Sequence, residues 1–254
     1  MNTKYIIFDM DDTLLPSDRI IKKYTLDVLK KVQDLGHKIV INTARSKSFN
    51  QEYFDEIKPD YAILNGGSLI IDKNEKVLFK KVISAEVVNN LIVDLIKISN
   101  SFSIYTENEL FSSDPNFHSQ GAQFFDFNKN ILNKESLKIV GSFKNKEQAD
   151  EVAAKYDLIY ISYLEGKFGR MNRKDTSKEN GNKELMKLLN ASLEDAIVFG
   201  DDIGDLKMIQ EAGVGVLMKN AKNELKEKVK NVSKYTNNED GVARFLTEFF
   251  NINM

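Results

Sequence analysis

The chain contains no cysteine, which excludes disulfides and thiolate metal sites and fits a reducing compartment. No stretch approaches the ~18 uninterrupted apolar residues of a transmembrane helix, so no membrane partner is expected. Before Asp9 there is too short an apolar run for the hydrophobic region of a signal peptide, and the expected compartment is the cytoplasm. Histidine is scarce, at two residues, and an isolated His118 makes no zinc site; it reads as exposed. With 36 basic and 38 acidic residues the net charge is only -2, which gives no expectation of nucleic acid as a partner. Internal repeats and low-complexity tracts are also missing. What remains is a soluble composition, 42% hydrophobic and 29% charged, over 254 residues, enough for one large domain or two unequal ones.

The most informative stretch is Tyr5 to Leu15. Tyr5-Ile6-Ile7-Phe8 reads as a strand buried on both faces, as the centre of a parallel sheet requires. It breaks into Asp9, Asp11 and Asp12, with Thr13 beyond. Open α/β sheets bind ligands outside the carboxyl ends of their strands, so Asp9 and Asp11 are expected to point into a crevice. Like charges gathered there repel unless a cation or raised pKa values relieve them, and Mg²⁺ is the simplest remedy because it prefers oxygen ligands. The alternative is that Asp11, Asp12 and Thr13 only cap a following helix.

Further along, apolar positions from Ile20 to Leu35 follow a helical period and Gly36 closes the helix. Lys38 to Ile41 is then a second strand, parallel to the first by right-handed crossover, and it ends at Thr43. A helix over Ser46 to Ile57, a strand at Tyr61 to Leu64 and a turn at Asn65-Gly66-Gly67 follow. Leu69 to Ile71 and Val77 to Phe79 read as a hairpin. Residues 82–171 change rhythm. Helices over Ser84 to Ile98 and Lys146 to Tyr156, with strands at Phe102 to Thr106, Leu137 to Gly141, Leu158 to Tyr163 and Lys167 to Met171, predict an α+β module with a mostly antiparallel sheet. Residues 114–133 carry no clear period, and Phe124, Phe125 and Phe127 there read as core of that module. The α/β pattern resumes with a helix over Lys178 to Leu189 and a strand at Ala196 to Phe199 that breaks into Gly200-Asp201-Asp202. Leu206 to Ala212 is a short helix, Val214 to Leu217 a strand, and helices are predicted over Ala221 to Val229 and Val242 to Phe250.

Several strand ends thus carry Asp9 and Asp11, Thr43, Asn65, and Asp201, Asp202 and Asp205, with Lys178 opening a helix among them. Carboxylates from two separate strands meeting at one sheet edge make a better metal site than either cluster alone. Phosphoryl transfer explains these residue types, because an anionic nucleophile approaching a phosphate needs a metal and a cationic side chain to offset repulsion. Asp9 suits attack on phosphorus to give an aspartyl-phosphate. Asp11 suits protonation of the leaving oxygen and later deprotonation of water. Thr43 and Lys178 suit the phosphate oxygens. The bland readings are a Thr43 hydroxyl bonded to its own backbone, a solvated Lys178 at a helix start, and an Asn65 that serves only its turn. Arg45 reads as a structural ion-pair partner, and Arg170, Arg173 and Lys174 as a solvated basic run.

These motifs, in this order, resemble the haloacid dehalogenase superfamily of phosphatases: Asp9-Met10-Asp11-Asp12-Thr13, Thr43, Lys178 in Ser177 to Lys183, and Gly200-Asp201-Asp202-Ile203-Gly204-Asp205. The long insertion, Asn65-Gly66-Gly67 and Asn238-Glu239-Asp240-Gly241-Val242 are similar to the Cof-type branch with a C2B cap. The resemblance implies an α/β fold: a Rossmann-like core with a parallel sheet over residues 1–81 and 172–254, and an inserted α+β cap over 82–171 that closes on the strand ends. It implies that Asp9 is nucleophile and Mg²⁺ ligand, that Asp11 is general acid/base and gives the metal its backbone carbonyl, and that Asp201 completes the protein ligands. Asp205 and Asp202 would support that shell, and Asn65 would face the substrate phosphate. Gly204 departs from the branch, which usually has Asn there. The implied activity is Mg²⁺-dependent hydrolysis of a small phosphomonoester, a sugar phosphate or nucleotide-like phosphate, by a monomer or weak homodimer. A phosphomutase and a catalytically weak phosphate-ligand sensor are the rival readings.

Overall fold

The computed structural model describes residues 3–117, 121–163 and 167–253, so His118 lies outside the described residues. The chain divides into two compact units, Met1–Phe79 with Ser177–Met254, and Lys80–Thr176. The first begins with β1 (Tyr5–Phe8), α1 (Lys23–Asp34), β2 (Lys38–Asn42), α2 (Gln51–Ile57), β3 (Tyr61–Leu64), β4 (Leu69–Asp72) and β5 (Val77–Lys80). The second contains α3 (Ala85–Ile98), β6 (Ser99–Tyr105), β7 (Leu110–Ser112), β8 (Ala122–Phe124), β9 (Lys138–Phe143), α4 (Lys146–Lys155), β10 (Leu158–Ser162) and β11 (Phe168–Arg173). The chain then returns with α5 (Lys178–Leu188), β12 (Ala196–Gly200), α6 (Leu206–Gln210), β13 (Val214–Leu217), α7 (Asn223–Lys226), β14 (Asn231–Val232) and α8 (Gly241–Phe250).

In the first unit the strands run in the order β14-β13-β12-β1-β2-β3-β4-β5. β1 lies at the centre, parallel to β12 and β2, with Ile7 opposite Val198 on one side and Val40 on the other. Ile6, Ile7 and Phe8 are fully buried, as helices on both faces demand, and each contributes about 1.5–3 kcal/mol of transfer free energy. β3 is parallel to β2, whereas β4 turns back antiparallel to β3, so the predicted hairpin extends this sheet. α1 buries Val28, Leu29 and Val32 and stops where Gly36 adopts a positive φ of 89°; Leu35, expected in the apolar stripe, is exposed.

Two predicted helices are shorter than their periodicity suggested. The Ser46 to Ile57 segment is a tight turn over Lys47–Phe49 followed by α2, because Asn50 breaks the regular dihedrals at φ −119°, ψ 0°. The Ala221 to Val229 segment keeps only the four residues of α7; Ala221 and Leu225 are buried from a short turn, and the chain must leave it to add β14 beside β13.

The second unit is a six-stranded sheet in the order β10-β11-β9-β6-β7-β8, antiparallel where its neighbours are paired except between β7 and β8. α3, capped by the Ser84 side chain, and α4, capped by Asn145, pack on the sheet through Val88, Leu91, Leu95, Ala149 and Ala153 against Phe102, Ile104, Ile139, Phe143 and Met171. Strand alternation puts Ser103, Tyr105, Lys138, Arg170 and Asn172 on the opposite face. Phe127 and Phe125 join this core, with the Phe127 ring 4.8 Å from Phe102, but Phe124 is exposed, contrary to expectation. Arg173 and Lys174 pair with Asp175 and Asp157, in keeping with a solvated run, whereas Arg170 does not belong to it and is buried. Among the described residues no helix is long and apolar enough to cross a membrane.

Gly67 ties the two halves of the first unit together. Its φ is 95°, and a Cβ added there would lie 2.1 Å from the backbone oxygen of Ser177, the residue that caps α5. Gly67→Ala is therefore expected to destabilise the protein by more than about 2 kcal/mol in urea unfolding; an unchanged midpoint contradicts this packing.

Candidate active site

Four adjacent parallel strands, β12, β1, β2 and β3, deliver Asp201, Asp9, Thr43 and Asn65 at or just beyond their carboxyl ends. Asp9 is fixed by its own backbone, whose N–H donates to Phe199 O at 3.1 Å across the β1–β12 boundary. Beyond it the chain turns tightly. Leu15 N–H donates to Met10 O at 2.8 Å while Asp12 takes a left-handed conformation at φ 55°. Asn220 holds this loop by donating to Asp12 O at 2.8 Å.

The acidic turn after β12 is built around Asp205, which is fully buried. Its Oδ2 accepts from the backbone N–H groups of Asp201 at 3.0 Å and Asp202 at 3.1 Å, while Asp202 Oδ1 accepts from Ile203 N–H at 2.7 Å. These reciprocal bonds form a capping box. Gly200 admits Asp205, since a Cβ at that position would lie 2.3 Å from the Asp205 Cβ. The exposed Asp202 carboxylate is thus a cap for the turn, and Asp205 orients Asp201. A Cβ on Gly204 would meet nothing within 4 Å, so the place where the Cof-type branch usually carries Asn is open space.

Lys178, the first residue of α5, joins the two strands. Its Nζ lies 2.8 Å from Asp9 Oδ1 and 2.6 Å from Asp205 Oδ1. Its carbonyl accepts from Asn42 Nδ2 at 2.8 Å, and Asn42 also donates to Asn182 Oδ1 at 2.7 Å within α5. Asn42 was missed as a site residue. The signal was there, as a polar side chain at the end of the buried strand β2. Thr13 was named only as part of its motif; its hydroxyl donates to Asp201 Oδ1 at 2.7 Å and links the two acidic loops.

Thr43 is buried, and its Oγ1 accepts from Arg45 N–H at 3.2 Å, the local bond of the bland reading. Asn65 is buried in a left-handed conformation, with its N–H donating to Arg45 O at 2.9 Å and Gly66 N–H donating to Thr43 O at 3.0 Å, so these two loops are bonded to one another. Asp11 is turned toward two arginines. Arg45 Nε donates to Asp11 Oδ2 at 2.8 Å, and Arg19 also pairs with Asp11. Arg45 is an ion-pair partner as expected, and that partner is itself one of the candidate residues.

Carboxylate oxygens of Asp9, Asp201 and Asp205 lie within 4.8 Å of one another, close enough to share one metal ion. Burial first, and then the neighbouring Asp205 charge, pushes Asp9 from 3.8 to about 6 against the opposing pull of Lys178. Asp201 is pushed up to about 7 by burial, with Asp205 and Asp9 adding to the shift and the Thr13 hydroxyl opposing it. Burial alone would lower Lys178, but Asp205 and Asp9 hold it above the usual lysine range. One ammonium does not neutralise three carboxylates. The donor set is all oxygen and lacks compensating positive charge, so it could hold a hard divalent cation such as Mg²⁺, and Asp205 is already bonded to Lys178 and two backbone N–H groups.

Fold and site together define an α/β unit with a mainly parallel sheet and a lysine-bridged carboxylate cluster at its strand ends. The family profile of haloacid dehalogenase-like hydrolases matches residues 6–246, and the chain belongs to that family. It is 26% identical to the 5-amino-6-(5-phospho-D-ribitylamino)uracil phosphatase YitU of Bacillus subtilis, over 99% of this chain and 100% of that one. A haloacid dehalogenase-like hydrolase from Bacteroides thetaiotaomicron superposes with a TM-score of 0.84 at 21% identity, over 98% of this chain and all of the other. A subclass IIB sugar phosphatase superposes with a TM-score of 0.81 at 24% identity, covering 98% of this chain and 100% of that chain.

A buried carboxyl whose folded pKa is raised stabilises the fold fully below its ordinary value of 3.8, and that contribution is lost as pH rises through about 6 for Asp9 and about 7 for Asp201. In a chelator, stability is expected to fall between pH 5 and pH 8 by on the order of 3 kcal/mol, less in Asp201→Asn, and Mg²⁺ should restore most of it. Urea midpoints that stay flat or rise over this range contradict the burial of these two acids.

Proposed function

We propose that the chain is a Mg²⁺-dependent phosphatase that hydrolyses a small phosphomonoester, a sugar phosphate or nucleotide-like phosphate, through an aspartyl-phosphate at Asp9. The observation that carries this reading is the Lys178 bridge between Asp9 and Asp205 beside Asp201. YitU is named for a phosphorylated ribitylamino-uracil and the subclass IIB neighbour for sugar phosphates, and both names support a small polyol-like substrate.

In this reading an Asp9 carboxylate oxygen forms the bond to phosphorus while the bond to the leaving oxygen breaks. Asp11 gives that oxygen its proton. Water then attacks the phosphorus of the acyl phosphate, Asp11 takes the water proton, and Asp9 is regenerated with release of inorganic phosphate. A protonated carboxyl offers a guanidinium no charge to bind, so Asp11 works as an acid when released from Arg45 and Arg19. Thr43 and Asn65 bring a hydroxyl and an amide to the phosphate oxygens, and Lys178 favours the anionic form of Asp9 against its burial and adds positive charge beside it. Asp9, Asp201 and the Asp11 backbone carbonyl would hold a Mg²⁺ ion, which would supply charge neutralisation for the phosphate dianion.

With p-nitrophenyl phosphate and Mg²⁺, wild-type protein is expected to release inorganic phosphate, and Asp9→Asn to lower kcat by at least about three orders of magnitude. Retained turnover in that variant refutes the covalent route. In a screen of phosphorylated sugars and nucleotides, isomerised product without free phosphate selects a phosphomutase instead, and stoichiometric binding without turnover selects a sensor.

A further inference from the structure

The last residue of β2 is a fully buried amide that follows the apolar run Ile39-Val40-Ile41. Asn182, on α5, is 1% exposed and lies against it. The Asn42 Nδ2 group donates to Lys178 O at 2.8 Å and to Asn182 Oδ1 at 2.7 Å. A carbonyl can only accept, so the Lys178 bond fixes which end of the Asn42 amide faces α5. Both hydrogens of one amide thus go to residues about one helical turn apart, and the first turn of α5 is clamped to the end of β2.

As a stabilising contact the pair is inefficient. Among the described residues Asn42 Oδ1 and Asn182 Nδ2 are buried without a hydrogen-bond partner, and the Asn42 Nδ2 otherwise meets only the Met208 sulfur, at 3.8 Å. An orphaned amide group in the interior costs more than a neutral hydrogen bond returns, so two apolar side chains of similar size would fill this space without loss of stability. What they would not supply is the bond to Lys178 O.

Both ends of the clamp are rigid. Asn42 is registered against Ile63 on β3, and Thr43 N–H continues the ladder by donating to Ile63 O at 2.9 Å. Gly181 seats α5 directly on β3, since a Cβ there would lie 2.5 Å from Ile63 Cγ2. One residue therefore determines two positions. The Asn42 backbone leads into Thr43, and its side chain fixes the backbone of Lys178, whose ammonium lies 2.8 Å from Asp9 and 2.6 Å from Asp205.

We propose that Asn42, with Asn182 behind it, is a positioning residue for Lys178. It sets where α5 begins relative to β2, and so places the ammonium for the same phosphoryl group that Thr43 meets. Misplacing such a group by about an ångström is enough to cost on the order of a hundredfold in rate. The consequence for turnover rests on the phosphatase reading; the clamp itself does not.

The test uses the full chain and the double variant Asn42→Leu/Asn182→Leu, in which both partners become apolar together. It is expected to melt within about two degrees of the wild type, whereas Asn42→Leu alone, which strands the Asn182 amide, melts lower. Despite its stability the double variant should lose kcat for p-nitrophenyl phosphate with Mg²⁺ by roughly tenfold or more, with KM changed less. NMR of isotope-labelled lysine gives a readout independent of activity. The Lys178 Cε–Hε signal, assigned by its loss in Lys178→Met, should move in the double variant toward the position of solvated lysines. If the wild type hydrolyses no phosphomonoester, the phosphatase reading fails and this signal alone decides. An unmoved Lys178 signal, or a double variant that keeps the kcat of an active wild type, overturns the proposal. A double variant that melts several degrees below the wild type makes the pair a structural contact only and also overturns it.

Discussion

The ion bridge from Lys178 to Asp9 and Asp205 is the interaction on which the first unit's site depends. It joins the end of β1, the start of α5 and the turn after β12. An ammonium at a helix N-terminus opposes the macrodipole, and a cluster of buried carboxylates opposes itself. Each liability answers the other. Burial first, and then the net negative charge that the bridge leaves at the strand ends, holds Asp9 and Asp201 toward their protonated forms, and an added cation is the natural complement.

Around that bridge the scaffold is specified by backbone constraints more than by side-chain chemistry. Gly200 lets Asp205 approach the strand, Gly67 lets the Asn65 turn pass against Ser177, and the Asn42 amide pins the Lys178 carbonyl. Thr13 links Asp201 to the first acidic loop. Each contact removes freedom from a charged group, which is the kind of preorganisation that electrostatic stabilisation of a phosphoryl group requires.

Much of this was legible in the sequence. Consecutive apolar runs ending abruptly in acid marked β1 and β12, and right-handed crossover made β1 and β2 parallel neighbours; the order β12-β1-β2-β3, which puts Asp201, Asp9, Thr43 and Asn65 on adjacent strands, comes from the structure. Less legible was where each side chain turns after the strand ends. Asp11 lies two residues from Asp9, yet a left-handed Asp12 follows it and its carboxylate meets Arg45 and Arg19, which no periodicity encodes. The same limit applies to Arg170. Beside Arg173 and Lys174 it reads as part of a basic run, but strand alternation carries it to a buried face. Short elements such as β7, β8 and β14 escaped because three or fewer residues give no period to detect.

That residues far apart along the chain assemble one cation site is most directly tested by titrating the metal-free protein with Mn²⁺ and following the free ion by electron paramagnetic resonance. One ion bound per chain, displaced by Mg²⁺, with affinity weakened by at least about a hundredfold in Asp201→Ala, is the expected result. Binding of equal strength in that variant, or no binding in the wild type, would contradict a shared site at the ends of β1 and β12.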